Sequence, residues 1–244
     1  MIIKDFLYKL KQDFTYLPSL TKYRDYNANN GVGVNYDKYW QKRFRWDELA
    51  LSNWQKQRSD LVLKIIEPNS KILDCGCGNG SVLKYLKEKI NISGIGVDIS
   101  EDALIKAKKN GIDGIKMDIT NLDSLNDLPE VDYILGFEII EHMPNPEEFI
   151  NKIQNKARIA LIFSVPNTGY YIQRLRLLFG RFPQQWISHP GEHLRFWTVK
   201  DMEWWIEAVG FELDKIVLYE GLPILNKIFP KLFCQGIIVK IKSK

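Results

Sequence analysis

Cysteine is scarce: Cys75, Cys77 and Cys234 make an odd count with no C-x-x-C spacing and no histidine at metal-ligand spacing. Neither a disulfide framework nor a zinc site is expected, and no metal is assigned. Histidine is limited to His142, His189 and His193. Long apolar runs are also missing, since no stretch reaches the roughly 18 residues that a membrane-spanning helix needs. No uninterrupted apolar segment follows a basic start at the N-terminus, so the sequence predicts neither an integral membrane segment nor an export signal and points to the cytoplasm. Charge of one sign does not accumulate either. Lys+Arg 34 against Asp+Glu 30 gives a net +4 spread along the chain, which leaves no footprint for nucleic acid.

What is present is enough for one large α/β core: 244 residues, 45% of them hydrophobic and 12% aromatic. Its most informative stretch is Ser70 to Gly80, S-K-I-L-D-C-G-C-G-N-G. Ile72 and Leu73 read as the end of a buried strand that Asp74 closes. Gly76, Gly78 and Gly80 follow at alternate positions, and Val82 to Ile90 is apolar-periodic. That is strand, glycine loop, helix, with more glycine than a simple turn requires. The dinucleotide fingerprint would place its third glycine at position 81, where Ser81 stands. A nicotinamide or flavin dinucleotide oxidoreductase is therefore the weaker reading.

Strand and helix then alternate. Ile92 to Asp98 reads as a second strand, and its terminal Asp98 has the spacing from the glycine loop that brings a carboxylate to a ligand's ribose hydroxyls. Ser100 is the better N-cap for the next helix, which leaves Asp98, with Ile99 beside it, for a ligand. Gly114 to Met117 makes a third strand followed by Asp118 and Ile119. Val131 to Phe137 is the near-continuous apolar run of a strand buried on both faces. It leads into F-E-I-I-E-H-M-P-N-P and a helix with acidic residues in its first turn. Ala157 to Val165 gives a fifth strand. Phe211 to Tyr219 and Gly236 to Lys242 give the last two, after a helix capped by Thr198 and ended by Gly210. The pattern predicts a doubly wound, mostly parallel α/β sheet.

Two segments fall outside the alternation. Residues 1–55 form an aromatic and basic extension, with Trp46 to Ile66 reading as helix, and residues 56–244 form the main domain. Residues 166–197 are too long for an ordinary connection and read as a lid insert. It carries Asn167, Tyr170, His189 and His193, together with Arg174, Arg181 and Arg195, which suit an anionic group on an acceptor. Tyr170 to Arg181 reads as a helix that places Arg174 and Arg181 on one face. Ordinary solvated arginines and an aromatic cap that merely packs on the sheet are the competing structural readings.

The glycine-loop pattern, with its strand-end residues in order, resembles motif I and its successors in the class I S-adenosylmethionine (SAM) dependent methyltransferases over roughly residues 60–242. F-E-I-I-E-H-M-P is similar to the ubiquinone-biosynthesis type. The insert and V-G-F ending look like the MetW group and the methyltransferases of polysaccharide gene clusters. The resemblance implies a Rossmann-like class I fold whose seventh strand is antiparallel, with SAM as cofactor. It implies that Asp74 reaches the cofactor's ammonium, that Gly76, Gly78 and Gly80 let the backbone approach it, and that Asp118 accepts from the adenine amino group while Ile119 packs on the ring. Phe137 would line the site, and a Tyr or Trp of the Tyr36 to Trp40 stretch, Tyr39 above all, would cover the methionine end. The base would be His142, His189 or His193. The expected activity is methyl transfer to an oxygen or nitrogen of a small or carrier-linked acceptor, with sugar-bearing and anionic acceptors among the candidates. A SAM-binding partner protein without turnover, as in the MetW group, is the rival, and a protein partner or homodimer stays open.

Overall fold

The computed structural model describes residues 2–14, 51–183, 185 and 192–243. Seven strands form one sheet in the order β3-β2-β1-β4-β5-β7-β6. They are β1 (Lys71–Cys75), β2 (Ser93–Asp98), β3 (Asp113–Lys116), β4 (Val131–Phe137), β5 (Ala157–Pro166), β6 (Leu213–Tyr219) and β7 (Gly236–Lys242). β1 to β5 pair in parallel, while β7 runs antiparallel between β5 and β6. This is the doubly wound α/β sheet that the alternation predicts, with the antiparallel seventh strand that the resemblance to class I methyltransferases implies. The order reverses between β1 and β4, the switch point at which doubly wound sheets open a crevice at their carboxyl edge.

Local chemistry sets the helices. α1 (Ile2–Phe14) precedes the sheet, and α2 (Asn53–Val62) starts on a capping box in which Ser52 and Gln55 satisfy each other's backbone. α2 is shorter than the predicted Trp46 to Ile66 helix: the chain turns after Val62 so that Ile66 joins the core, and residues before 51 lie outside the described ones. α3 (Ser81–Lys89) follows the glycine loop. α4 (Glu101–Lys109) is capped by Ser100, with Glu101 and Asp102 in its first turn and three lysines in its last, as the macrodipole prefers. α5 (Pro146–Ile153) opens with Pro146 and two glutamates and buries Phe149, Ile150 and Ile153. α6 (Tyr171–Leu178) lies in the insert, and α7 (Val199–Ala208) starts on a Thr198–Asp201 capping box.

Alternate residues feed two cores. Leu73 and Cys75 of β1 pack into one with Leu161, Phe163 and α7, and Ile72 packs into the other with Val62, Leu83 and Leu86. Further elements dock on this double core. Lys9 of α1 donates to Gln235 (2.7 Å), and Asp13, fully buried, accepts from Tyr171 (3.0 Å) and from the Tyr170 hydroxyl. The insert leaves and rejoins the body at one place, where Asn167 bridges to Trp197 and the Thr168 N–H donates to the Trp197 carbonyl (2.9 Å). Among the described residues no helix is long and apolar enough to cross a membrane.

Candidate active site

A cavity of about 460 Å³ opens at the carboxyl ends of β1, β2 and β4, within the size range of small-molecule sites. Its floor is the β1–α3 loop. Gly76 has φ +72°, and a Cβ there would come within 2.5 Å of Ile139 Cγ2, so this position requires glycine on both counts. The Gly76 and Cys77 N–H groups donate to the Val97 carbonyl (2.8 and 3.0 Å). Asp98 completes the brace. One of its carboxylate oxygens accepts from the Gly78 N–H (2.8 Å) and the other from the Ser100 N–H (2.9 Å), so one side chain pins the glycine loop and the turn into α4.

Two more carboxyls stand along the same edge. Asp74 is 3% exposed, and burial pushes its carboxyl up to about 7, with the Arg58 guanidinium opposing and the Asp98 charge adding to the rise. Asp118 is exposed, and one of its oxygens accepts from both the N–H (2.9 Å) and the hydroxyl (2.7 Å) of Thr120 in a local turn.

Beyond β4 the wall changes character. Glu138 adopts φ +56°, a conformation that costs a non-glycine residue of order 1–3 kcal/mol, and its Oε1 accepts from Ser164 (2.8 Å) while pairing with Arg58 (3.4 Å). The Arg58 guanidinium also lies 4.5 Å from the centre of the Phe137 ring and donates to Ser164 (3.1 Å). The turn Ile140–His142 then presents Glu141 and His142. Glu141 is 1% exposed, and neither of its carboxylate oxygens has a hydrogen-bond partner among the described residues. Burial, with the Glu138 charge added, holds its carboxyl well above the usual range. Its backbone carbonyl accepts from the N–H groups of Leu194 (2.8 Å) and Arg195 (3.1 Å), which ties the end of the insert to this turn.

That tie brings in His193. The His142 and His193 rings meet edge to face with centroids 4.6 Å apart, and His142 Nδ1 is bonded to the Glu192 carbonyl. A carbonyl only accepts, so Nδ1 carries the hydrogen and Nε2 of the neutral ring carries the lone pair. Burial lowers His142 below the ordinary histidine value and takes His193 down to about 3, with the charge of His142 contributing to the latter. Both imidazoles are therefore neutral at pH 7.

The cavity gathers Asp74, Gly76, Gly78, Asp98, Ile99, Asp118, Ile119, Phe137, His142 and His193. Gly80, at φ +69°, is the N-cap of α3 rather than part of the lining. Tyr39 and His189 lie outside the described residues. The remaining sequence-predicted residues are engaged elsewhere. Asn167 is 1% exposed and donates to the carbonyls of Cys234 (2.8 Å) and Lys231 (3.1 Å), Tyr170 bonds Asp13, and Arg174 donates to the Gly169 carbonyl (2.7 Å). Arg195 donates to the Pro144 carbonyl and lies 3.7 Å from Glu147. Arg181 does not share a helical face with Arg174, because α6 ends at Leu178 and Gly180 follows at φ +72°. The insert instead lends the cavity Gln185, Glu192 and His193.

Pattern and spacing do not single out Arg58 or Glu141: Arg58 stands four residues before Val62 on the buried face of α2, a weak signal, and Glu141 sits beside the more conspicuous His142. The donor atoms of Glu141, His142 and His193 lie within 4.8 Å of one another, a grouping that spacing along the sequence does not display. The insert closes a gap that sequence spacing does not display.

A family model described as a methyltransferase domain matches residues 39–216. The bifunctional methionine biosynthesis protein MetXA/MetW of Rhodopirellula baltica is 27% identical over 178 residues, 65% of this chain and only 28% of that protein's length. The ubiquinone biosynthesis O-methyltransferase of Glaesserella parasuis is 26% identical over 74% of this chain and 87% of its own. Among solved structures, magnesium protoporphyrin IX methyltransferase from Synechocystis PCC 6803 with bound S-adenosylhomocysteine (SAH) superposes with a TM-score of 0.60. It is 16% identical and the match covers 86% of this chain and 95% of that one.

Proposed function

We propose that this chain, which belongs to the methyltransferase-domain family and is a SAM-dependent methyltransferase of the class I kind, moves a methyl group to an oxygen or nitrogen of a small or carrier-linked acceptor. Oxygen is the sharper expectation, in keeping with the O-methyltransferase among its relatives. The observation that carries the reading is the division of one cavity between three strand-end carboxyls on one side and a Glu–His–His group on the other.

The residues present fit SAM. Its methionine end carries an ammonium and a sulfonium and no phosphate, so a buried carboxyl suits it better than a bare helix N-terminus does. Asp74 is such a carboxyl, and its raised affinity for a proton would give way to the ammonium. Asp98 would accept from the ribose hydroxyls, and Ile99 and Ile119 would flank the base. Asp118 would take the adenine amino group on the oxygen that Thr120 does not use. SAM supplies a methyl group on a sulfonium, a leaving group that needs no activation. The chain's own work is then to aim the acceptor, exclude water and receive its proton. The neutral His142, with its Nδ1–H fixed by Glu192, and the adjoining His193 are the proton-handling end of the cavity.

The test is to titrate the chain with SAH and to incubate it with methyl-labelled SAM and a fractionated extract. One SAH per chain and label in an acceptor fraction are expected. SAH binding without transfer in any fraction would favour a non-catalytic partner role, and binding of NAD instead of SAH would favour an oxidoreductase.

A further inference from the structure

We propose that Lys9 and Asp13 of α1 are positioning residues for the acceptor side of the cavity, acting through the insert whose root they grip. Among residues 3–14 these two alone are buried, whereas Ile3 and Leu7 stand 72% and 57% exposed. The deepest contacts of α1 are therefore polar. Such contacts are directional, and a charge is tolerated out of water only where partners fix its place.

Those partners are the residues that hold Asn167, where the insert leaves β5. Asp13 accepts from the hydroxyls of Tyr170 and Tyr171, the latter at 3.0 Å, and lies 3.5 Å from Lys9 Nζ. Burial, with Asp13 beside them, raises both hydroxyls above the ordinary tyrosine value, so they keep their protons and donate. Lys9 in turn donates to the Gln235 side chain at 2.7 Å. The Tyr170 N–H donates to the Asn167 carbonyl (3.0 Å) and the Asn167 N–H to the Gln235 carbonyl (2.8 Å), so α1 grips both of these backbone partners of Asn167.

From Asn167 the contacts run into the cavity. Pro166 lines it, and the Thr168 hydroxyl donates to Gln185 (3.0 Å), which lines it too. Asn167 pairs with Trp197, and the Thr168 N–H bonds the Trp197 carbonyl (2.9 Å), which places the returning end of the insert. His193 stands four residues before Trp197, and between them the Leu194 and Arg195 N–H groups meet the Glu141 carbonyl. A shift at the root thus moves Gln185, Glu192 and His193 relative to an acceptor, and a misplacement of about 1 Å is enough to cost roughly a hundredfold in rate. The β2 side stands apart, because Asp98 braces it from within.

The effect on transfer rests on the methyltransferase reading, whereas the mechanical link does not. The experiment compares the full chain with Asp13→Ala, Asp13→Asn and Lys9→Met by amide hydrogen exchange, SAH calorimetry and methyl transfer from labelled SAM to a fractionated extract. In Asp13→Ala the amides of Thr168, Leu194 and Arg195 should exchange at least about tenfold faster, with those of β1 and β4 and the SAH affinity within about twofold of the parent. Methyl transfer should fall at least about tenfold. Asp13→Asn keeps an acceptor oxygen for the tyrosine hydroxyls and should recover part of both losses. Parent-like exchange at those three amides in Asp13→Ala overturns the proposal. So does unchanged transfer with the amides loosened, and so does faster exchange spread equally over β1 and β4 in all three variants, which would make the contact a support of the whole fold. A parent chain that fails to bind SAH would sink the methyltransferase reading instead, while the exchange contrast would still report whether α1 holds the insert.

Discussion

The two halves of the cavity treat a buried carboxylate in opposite ways. On the β2 side, Asp98 spends both oxygens on backbone N–H groups, at 2.8 and 2.9 Å, and so holds two turns in place. On the β4 side, Glu141 is buried more deeply and spends neither. A satisfied carboxylate stabilises the chain it belongs to, whereas an unsatisfied one costs it. The β2 side is thus braced by its own carboxylate, whereas the β4 side keeps buried polar groups that the described residues do not satisfy; in the proposed reading the first is the cofactor half and the second the acceptor half.

The largest effect follows from the satisfied side. Asp98→Ala should weaken SAH binding roughly a hundredfold or more, because two charge-assisted hydrogen bonds to the ribose, each worth about 1.5–3 kcal/mol, are lost. The same change strands the Gly78 and Ser100 N–H groups, so chemical denaturation should also show a loss of about 2–4 kcal/mol. Calorimetric SAH affinity equal to that of the parent would remove Asp98 from the cofactor site.

The opposite sign is expected across the cavity. Glu141→Met replaces an unpartnered buried carboxyl with an apolar side chain of similar size, and it should raise stability by about 1–3 kcal/mol while abolishing methyl transfer. A destabilised variant would mean that Glu141 has a structural partner, and the contrast between the halves would fail.

Asp74 supplies a pH test of the same contrast. Its free-state value of about 7 must fall when a cationic ammonium binds beside it, so binding expels a proton and affinity rises with pH. Between pH 6 and 7.5, below the range in which the ammonium itself titrates, SAH affinity should increase roughly eightfold. The free chain should move the other way. A carboxyl raised in the folded state binds its proton more tightly than in the unfolded chain, so stability falls as pH rises from the ordinary value of 3.8 toward about 7. A flat affinity profile across that window would remove Asp74 from the ammonium site.

The same division governs what the sequence discloses. Asp74, Asp98 and Asp118 each end or follow a strand next to a turn whose residues are adjacent in the chain, so periodicity and spacing alone place them at one sheet edge. The strand alternation likewise leads to a doubly wound, mostly parallel sheet, because parallel strands joined by helices have few ways to pack. His193 reaches Glu141 only because the insert returns along Asn167 and Trp197 and binds the Glu141 carbonyl, a long-range contact with no local pattern. Arg174 and Arg195 look like an anion clamp as residue types; each donates to a backbone carbonyl, at Gly169 and Pro144, and neither lines the cavity. Arg58 is hidden for the converse reason: a charged residue on the buried face of a helix reads as an error in amphipathicity until Glu138 and Phe137 are seen beside it.

Asp118 lies between the two extremes and gives the smallest and most selective effect. One of its oxygens is taken by Thr120 and the other is not, and the side chain is exposed, so its bond to a ligand competes with water. Such a bond contributes about 1 kcal/mol, and Asp118→Ala should lower SAH affinity only about fivefold, with stability unchanged beyond the loss of a surface turn. The sharper readout is discrimination. The parent chain should prefer SAH to its hypoxanthine counterpart, because the adenine amino group donates to Asp118 whereas the hypoxanthine oxygen at that position cannot and meets a carboxylate. Asp118→Ala removes both the attraction and the repulsion, so the two ligands should bind with nearly equal affinity. Preserved discrimination in the variant would place the adenine elsewhere along the edge, whereas its loss with the ribose contacts of Asp98 intact would show that the cofactor half reads its ligand through two separable carboxylates.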